Sequence, residues 1–517
     1  MCDVFALITV LLVAALSAHT IRRRKRGALP YPPTPPGQFF FGNLRDIQHK
    51  TLRYRYDELA KTYGEIFHLS ALGQHIVVLN TEEAAYELFT RRSAIYSDRP
   101  QLALVDLMGW DISVAFMKYG ERWRSHRRLF QQVLNPRVVA DFQQIQTENI
   151  NKYLGRLLND PDHFSEQLEI LLGSIIMKIV YGYEIPEDGK DETFTATLKA
   201  VQNLANATLP GSWLVNSFPI LRFLPEWFPG CGFRTFARET REVVDMIVDG
   251  PYERAKSRAS SDAPCLVTLL EDSIAAGGHR NITESYSKEV CAVAYGSTSE
   301  TTTAVIDIFY LAMRQNPDIQ DKAYREIMQV VGSERLPCLS DRAALPYVEA
   351  VYREVTRWMP PVPFSLPHGS IEDDVYKDYF IPKGAFASKS LASTARVTML
   401  NNEEKYPSPR RFMPERFLTA EGRFNGGDID SILSFGFGRR ICVGRHLADT
   451  TVWLLFACVL ATFRIGKPKN GVLDGIDKLE DIDNAFLHTL VAHTVPFRCS
   501  LRSRSLEAAE IIRQLND

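Results

Sequence analysis

The stretch Phe435-Gly436-Phe437-Gly438-Arg439-Arg440-Ile441-Cys442-Val443-Gly444 sets one cysteine between glycines, with two arginines before it and an apolar run after it. Gly436 and Gly438 permit backbone angles and close approaches that other residues resist. Arg440 offers a fixed cationic fork for carboxylates. Residues Val443 to Phe463 read as a mostly buried helix, which puts Cys442 at its N-terminus. Oriented amides and the helix dipole at such a place lower a thiol pKa. The fold must therefore present a thiolate to a metal or an electrophile.

Seven other cysteines stand at 2, 231, 265, 291, 338, 458 and 499, with no CxxC pair. That spacing argues against a disulfide framework and a structural zinc site. It suits a reducing compartment, with these seven as small buried hydrophobes. A net charge of −2 gives no reason to expect nucleic acid as a partner. The 29 phenylalanines suit a roomy apolar interior.

The N-terminus carries a targeting signal. Val4 to Ala18 holds no charge, and Arg22-Arg23-Arg24-Lys25-Arg26 follows at once. A membrane-spanning helix needs about 20 apolar residues; the run is short of that but usable with its flanks. Basic residues after the apolar run keep the bulk of the chain cytosolic; a cleaved signal peptide is the rival reading. The expected organisation is a single transmembrane anchor over 1–20, a basic flank and proline-rich hinge over 21–37, a catalytic domain over 38–505 and a tail over 506–517. Pro30 to Gly37, with its many prolines, reads as a stiff spacer.

Helical patterning dominates the body. Short strand candidates occur at Ile66–Leu69 and Ile76–Leu79, and again near Tyr379 and Phe497. The class is mainly α with small sheets. A helix from about Ser287 to Gln315 stops at Asn316-Pro317, which caps the next one. Another begins near Pro346 and carries Glu354 and Arg357 three apart on one face.

Glu354-x-x-Arg357, Pro414-Glu415-Arg416-Phe417 and the Cys442 loop occur in that order. Together they resemble the cytochrome P-450 superfamily of heme-thiolate monooxygenases, and the likeness covers nearly all of the chain after the spacer. The anchor, basic flank and hinge look like the microsomal class. Phrases such as YGERWRSHRRLF and EEKYPSPRRFMPERFL look most like fungal members. The resemblance implies the P-450 fold, heme b, and Cys442 as the axial iron ligand, with Phe435, Gly436, Gly438 and Gly444 shaping the heme-binding loop. It implies a charge network of Glu354, Arg357 and Arg416 that holds the proximal side. Trp123, Arg127, His368 and Arg440 are implied to bind the heme propionates. Glu300-Thr301 match the family's acid–alcohol pair: Thr301 is implied to donate a hydrogen bond to dioxygen and Glu300 to relay protons.

Two departures stand out. Ser297 and Thr298 occupy positions where the family has small Ala or Gly, and Gly296 is displaced toward the N-terminus. The oxygen-binding groove or the helix kink is therefore expected to differ. Residues 385–397 (AFASKSLASTARV) are longer than the family segment and lack its Trp. Their Ser/Ala/Lys alternation makes a poor core strand. The segment reads either as an error of gene prediction or as a divergent loop that decides heme uptake.

The implied partners are O2, a small apolar substrate, membrane lipid and an NADPH-cytochrome reductase. Arg122, Arg124, Arg127 and Arg128, with His126 among them, crowd one helix, and Arg439 and Arg445 flank the cysteine loop. By the resemblance these face the reductase. Leu209 to Phe233 is rich in aromatics, and Trp213, Phe218, Phe223, Trp227 and Phe228 suit a membrane interface. Leu104 to Phe116, Val362, Phe364 and Phe486 are candidate pocket walls. The implied place is the endoplasmic reticulum membrane. The alternatives are a reductase-independent isomerase or peroxygenase, and a non-catalytic degenerate member.

Overall fold

A computed structural model describes residues 29–516 apart from 40, 50–51, 72–73, 187, 210, 259–264, 277–282, 385–389, 395, 469–475, 477–484 and 487–489. The anchor read at 1–20 and most of the basic flank lie outside the described residues. Among the described residues, no helix is long and apolar enough to cross a membrane.

The main helices are α1 (Leu52–Tyr63), α2 (Glu121–Val133), α3 (Gln143–Asn159), α4 (Phe164–Tyr181), α5 (Glu192–Thr208), α6 (Gly232–Arg258), α7 (Glu284–Gln315), α8 (Pro317–Val330), α9 (Pro346–Trp358), α10 (Arg396–Leu400), α11 (Arg445–Thr462) and α12 (Leu506–Gln514). With 32 residues, α7 spans about 48 Å. It is apolar on most faces and crosses the core, as its pattern predicts. α4 runs against it, with Phe164 beside Tyr310 and Tyr181 beside Tyr295. On another side Phe309 stacks on Phe456 of α11 at 3.9 Å. α11 is buried almost all round, which suits a helix that is hydrophobic on every face. Asn316 is the N-cap of α8 with Pro317 in its first turn, as expected, but its side chain makes no cap bond and donates back to Ala312 O of α7 at 2.8 Å.

The largest sheet has the order β1 (Ile66–Ala71), β2 (Gln74–Leu79), β6 (Ser390–Thr394), β3 (His368–Gly369). β4 (Asp374–Tyr376) and β5 (Tyr379–Ile381) form a hairpin, and β7 (Phe463–Gly466) pairs with β8 (Ser500–Ser503). β6 corrects the expectation for 385–397. Part of that segment is an inner strand, parallel to β2 from His75↔Ser390 to Leu79↔Thr394 and antiparallel to β3. A strand bordered on both sides draws ladder bonds from two neighbours, and such context outweighs weak side-chain propensity.

The proline segment is also docked rather than free-standing. Proline lacks an N–H, so the strap offers carbonyls. His68 N donates to Pro33 O at 2.9 Å and Phe380 N to Pro30 O at 2.8 Å. Tyr31 stacks on His68 and His75, which join through Nε2 and Nδ1 at 2.9 Å. The stretch read as a tail contains α12, capped by Ser505 and buried at Ala509 and Ile512.

Candidate functional site

The cysteine loop is a tight turn closed by Cys442 N, which donates to Phe435 O at 2.8 Å. Gly438 has φ +56°, and a Cβ there would stand 1.9 Å from Phe89 O. Only glycine lets the loop approach that carbonyl. Gly436 has φ +88°, and Nη2 of Arg396 passes 3.2 Å from where its Cβ would be. A Cβ at Gly444 would meet nothing within 4 Å, so crowding does not account for that glycine. α11 starts at Arg445, with Gly444 as its N-cap. Cys442 therefore precedes the helix rather than opening it.

Burial pushes the Cys442 thiol up, opposed by a backbone hydrogen bond from Gly444 and by the charges of Arg127, Arg445 and Arg396. The expected lowering at a helix N-terminus does not win, because desolvation penalises an anion more than these groups favour it. Cys442 keeps accessible surface while lying deep among protein atoms. Both hold for a side chain on the wall of an internal cavity.

Around this loop the structure gathers cations, Arg99 and Arg396 buried and Arg127 and Arg440 half-buried. Arg440 donates to the carbonyls of Ser97, Val114 and Met117 at 2.7–2.8 Å and lies over the Trp123 ring. Arg99 donates to the carbonyls of Ala115, Leu366 and Pro367. Arg396 donates to Ser434 O at 2.8 Å, and its buried Nε has no partner. Burial lowers Arg440 to about 9, and Arg396 and Arg127 each to about 10. Arg99 is also lowered, by burial and by repulsion from Arg440 and Arg396. Among the described residues no carboxylate makes an ion pair with any of the four.

Such a cluster calls for anions, because buried charge without a partner is costly. A heme with two carboxylates fits it, and the arginines keep N–H groups in hand for charge-assisted bonds. Trp123 and His368 make bonds within the chain. Trp123 Nε1 donates to Val114 O at 3.3 Å. His368 stacks on Phe89 at 4.0 Å, and its Nδ1 donates to Tyr96 O. Burial and the nearby Arg99 keep His368 neutral. In that tautomer Nε2 carries no proton to give a carboxylate.

Arg99 and Arg396 were not singled out from the sequence. Arg99 follows Ser97-Asp98 in a stretch with no spacing signal, and Arg396 ends the divergent segment. Only the β2–β6–β3 pairing carries Arg396 to the cysteine loop.

Glu354 is fully buried on α9. Both its oxygens meet Arg357 at 2.7 Å, and Arg416 Nε lies 3.1 Å away. Met413 N donates to Glu354 Oε1 at 2.8 Å. Arg357 also donates to Leu400 O and Pro409 O. One carboxylate thus ties α9, the end of α10 and the segment leading to the cysteine loop.

α7 continues through 296–301 without a break. Gly296 is not at a kink. A Cβ there would crowd Trp110 at 3.2 Å and Val201 at 3.3 Å, so this glycine serves close packing. Thr298 donates back to Ala294 O at 2.8 Å and Thr301 to Ser297 O at 3.4 Å. Such back-bonding satisfies the two hydroxyls within the helix. Ser297 is exposed between buried Gly296 and half-buried Thr298, and Thr301, one turn on, is half-exposed. The two line one face. Glu300 is half-buried, and desolvation alone raises its pKa.

The basic helix divides. Arg124 and Arg128 are exposed, as is Arg439. Arg122 instead pairs with Asp111 and Glu289, and fully buried His126 meets Glu289 at 2.5 Å. These two residues join α2 to α7. Arg445 is tied to Asp430 at 2.8 Å.

A cavity of about 690 Å³ runs inward from Leu44–Tyr56 and Thr208–Ser217 to Phe116, Met359, Phe364 and Phe486. Leu104 is packed in the core rather than on its wall, and Pro363 lines it where Val362 was expected.

A family model described as cytochrome P450 matches residues 32–484. The chain belongs to the cytochrome P450 family. It is 34% identical to a cytochrome P450 monooxygenase of Armillaria gallica, over 98% of this chain and 99% of that one. It is 35% identical to cytochrome P450 monooxygenase 98 of Postia placenta, over 99% and 98%. It is 32% identical to the tryptamine 4-monooxygenase of Psilocybe cyanescens, over 97% and 98%. Cytochrome P450 proteins hold a heme iron through a cysteine thiolate, and the relatives are named as oxygen-incorporating oxidoreductases. In this P450 Cys442 would supply that thiolate, and Arg99, Arg127, Arg396 and Arg440 would hold the propionates. When bound, a thiolate-ligated heme supplies the electron push that favours O–O cleavage.

Proposed function

We propose that the chain is a heme b-thiolate monooxygenase that oxidises an apolar organic substrate. One oxygen atom of O2 enters the substrate, and the other leaves as water with two protons and two electrons. The observation that carries this reading is Cys442, accessible yet deep among protein atoms, with the charges of Arg127 and Arg396 acting on it and no carboxylate paired with Arg99, Arg127, Arg396 or Arg440 among the described residues. Glu300 holds a proton readily, because burial disfavours its anion. The Thr301 hydroxyl gives its one O–H to Ser297 O at 3.4 Å, and it donates on the exposed face by turning away from that long bond. Reconstituted turnover with NADPH and a reductase over a panel of apolar compounds tests the function; reductase-independent turnover would contradict it. Thr301→Ala is expected to raise peroxide release at the expense of product while leaving substrate binding unchanged. Unchanged coupling in that variant would remove Thr301 from the mechanism.

Electrons come from an NADPH-dependent flavoprotein reductase that meets Arg124, Arg128 and Arg439. Reduction of the heme by that reductase is expected to slow as ionic strength rises, since exposed charges are screened beyond about 8–10 Å. A salt-independent rate would argue against docking through this face.

The body rests on the cytosolic side of the endoplasmic reticulum membrane. Phe39 is 96% exposed, Trp227 81% and Phe223 77%, and Leu214, Phe218 and Ile220 join them. Phe228 is exposed as well, whereas Trp213 stacks on Phe236 at 5.1 Å. Leu214 lines the cavity mouth, so apolar compounds dissolved in lipid reach the cavity directly. An apolar patch of this kind marks a membrane or protein contact.

A further inference from the structure

We propose that Asp307 is a relay residue that holds a proton inside the core and passes it to Glu300 along the stripe Glu300–Thr303–Asp307 of α7. The inference rests on the monooxygenase reading, which needs two protons per turnover at the oxygen-binding face.

Spacings of three, four and seven put these three side chains on one helix face. Asp307 is 7% exposed, and its Oδ1 is buried without a hydrogen-bond partner. Thr303 is 8% exposed. A buried polar atom left unsatisfied is costly, so native folds keep few of them. Here the cost falls on a carboxyl two turns from the acid of the acid–alcohol pair.

The local field settles which form Asp307 holds. Burial, then the charge of Glu169, pushes it up to about 7. Glu169 on α4 acts on Asp307, and Asp307 acts on Tyr153 of α3 and Tyr310 of α7; Glu166, Arg156 and Cys499 act in turn on those neighbours. Tyr153 and Tyr310 are joined through their hydroxyls at 2.9 Å and stay neutral, since burial raises both. None of these groups pairs with Asp307 as a cation. The neutral acid is therefore the favoured form below about pH 7.

Glu169 is exposed on α4 and its charge reaches Asp307, so the relay takes its proton in from that side. A rise of 1.5 Å per residue puts about 4.5 and 6 Å between successive members of the stripe. Those gaps exceed a direct hydrogen bond and suit single bridging waters. In the step, the Asp307 carboxyl loses its proton through water to the Glu300 carboxylate. The Asp307 carboxylate then takes a proton from solvent at the Glu169 side, and no electron moves.

Asp307→Asn keeps the shape and removes the proton-holding group. In the holoenzyme, wild type is expected to show an infrared carboxyl band that titrates near pH 7 and is missing from Asp307→Asn. The variant is expected to release roughly tenfold more peroxide per product and to lose the inflection near pH 7 in its coupling profile. Asp307→Glu is expected to restore part of both. An infrared spectrum without that band, or a coupling profile unchanged in Asp307→Asn, overturns the relay. Wild type that couples no reductant to product overturns the relay and the monooxygenase reading together, whereas normal wild-type coupling with an unchanged variant overturns the relay alone.

Discussion

Cys442→Ala is expected to abolish the thiolate-type spectrum and reduce substrate oxidation to background. Burial holds the Cys442 sulfur toward the neutral thiol until a metal replaces its proton. Heme uptake therefore releases a proton from this side chain, as metal binding to thiols does. Uptake is expected to strengthen as pH rises toward the raised thiol pKa and to level off above it. Arg127, Arg396 and Arg445 ease that release by favouring the anion. The variant is expected to keep its helices, because Cys442 closes its loop through backbone N–H alone. Circular dichroism on the same preparations would show whether the loss is of chemistry or of fold. Retained turnover in Cys442→Ala would move the metal ligand elsewhere.

Glu354→Ala is expected to cost roughly 3–5 kcal/mol and to lower heme retention sharply. The cost arises from what stays behind. Arg357 and Arg416 would remain buried as cations without their shared carboxylate, and Met413 N would lose its acceptor. Arg357 keeps two carbonyl partners, and Arg416 three. Those dipoles do not neutralise a buried charge. Glu354→Gln is expected to fall between wild type and Ala, since it keeps one acceptor oxygen and drops the charge. Urea unfolding and heme content on the three proteins check this. Unfolding free energies that coincide would mean that the network does not hold the proximal side.

Much of the long helix was legible in the chain, and its limits were not. The apolar run that ends at Asn316-Pro317 locates α7 to within a few residues, because proline stops a helix from a known side. The same sequence says nothing of which hydroxyl is left exposed, since that depends on how α7 is rotated against α4 and α11. Glu354 and Arg357 were readable as a helical pair, while Met413 N as a third donor was not. The arginine cluster was read by half. Arg127 and Arg440 stand in recognisable phrases, whereas Arg99 and Arg396 reach the site only through sheet pairing and a turn. The segment 385–397 misled because its composition is weak for a strand, and strand propensity gives way when neighbours border both edges. Asp307 carried no local signal, because a lone acid in an apolar helix reads alike whether exposed or buried.

The most direct measurement is the ferrous–carbon monoxide difference spectrum of the full-length protein beside Cys442→Ala. A thiolate-type band in wild type that vanishes in the variant is the expected result. Absence of heme in wild type, or a band that survives the loss of Cys442, would contradict the assignment of that cysteine as the iron ligand.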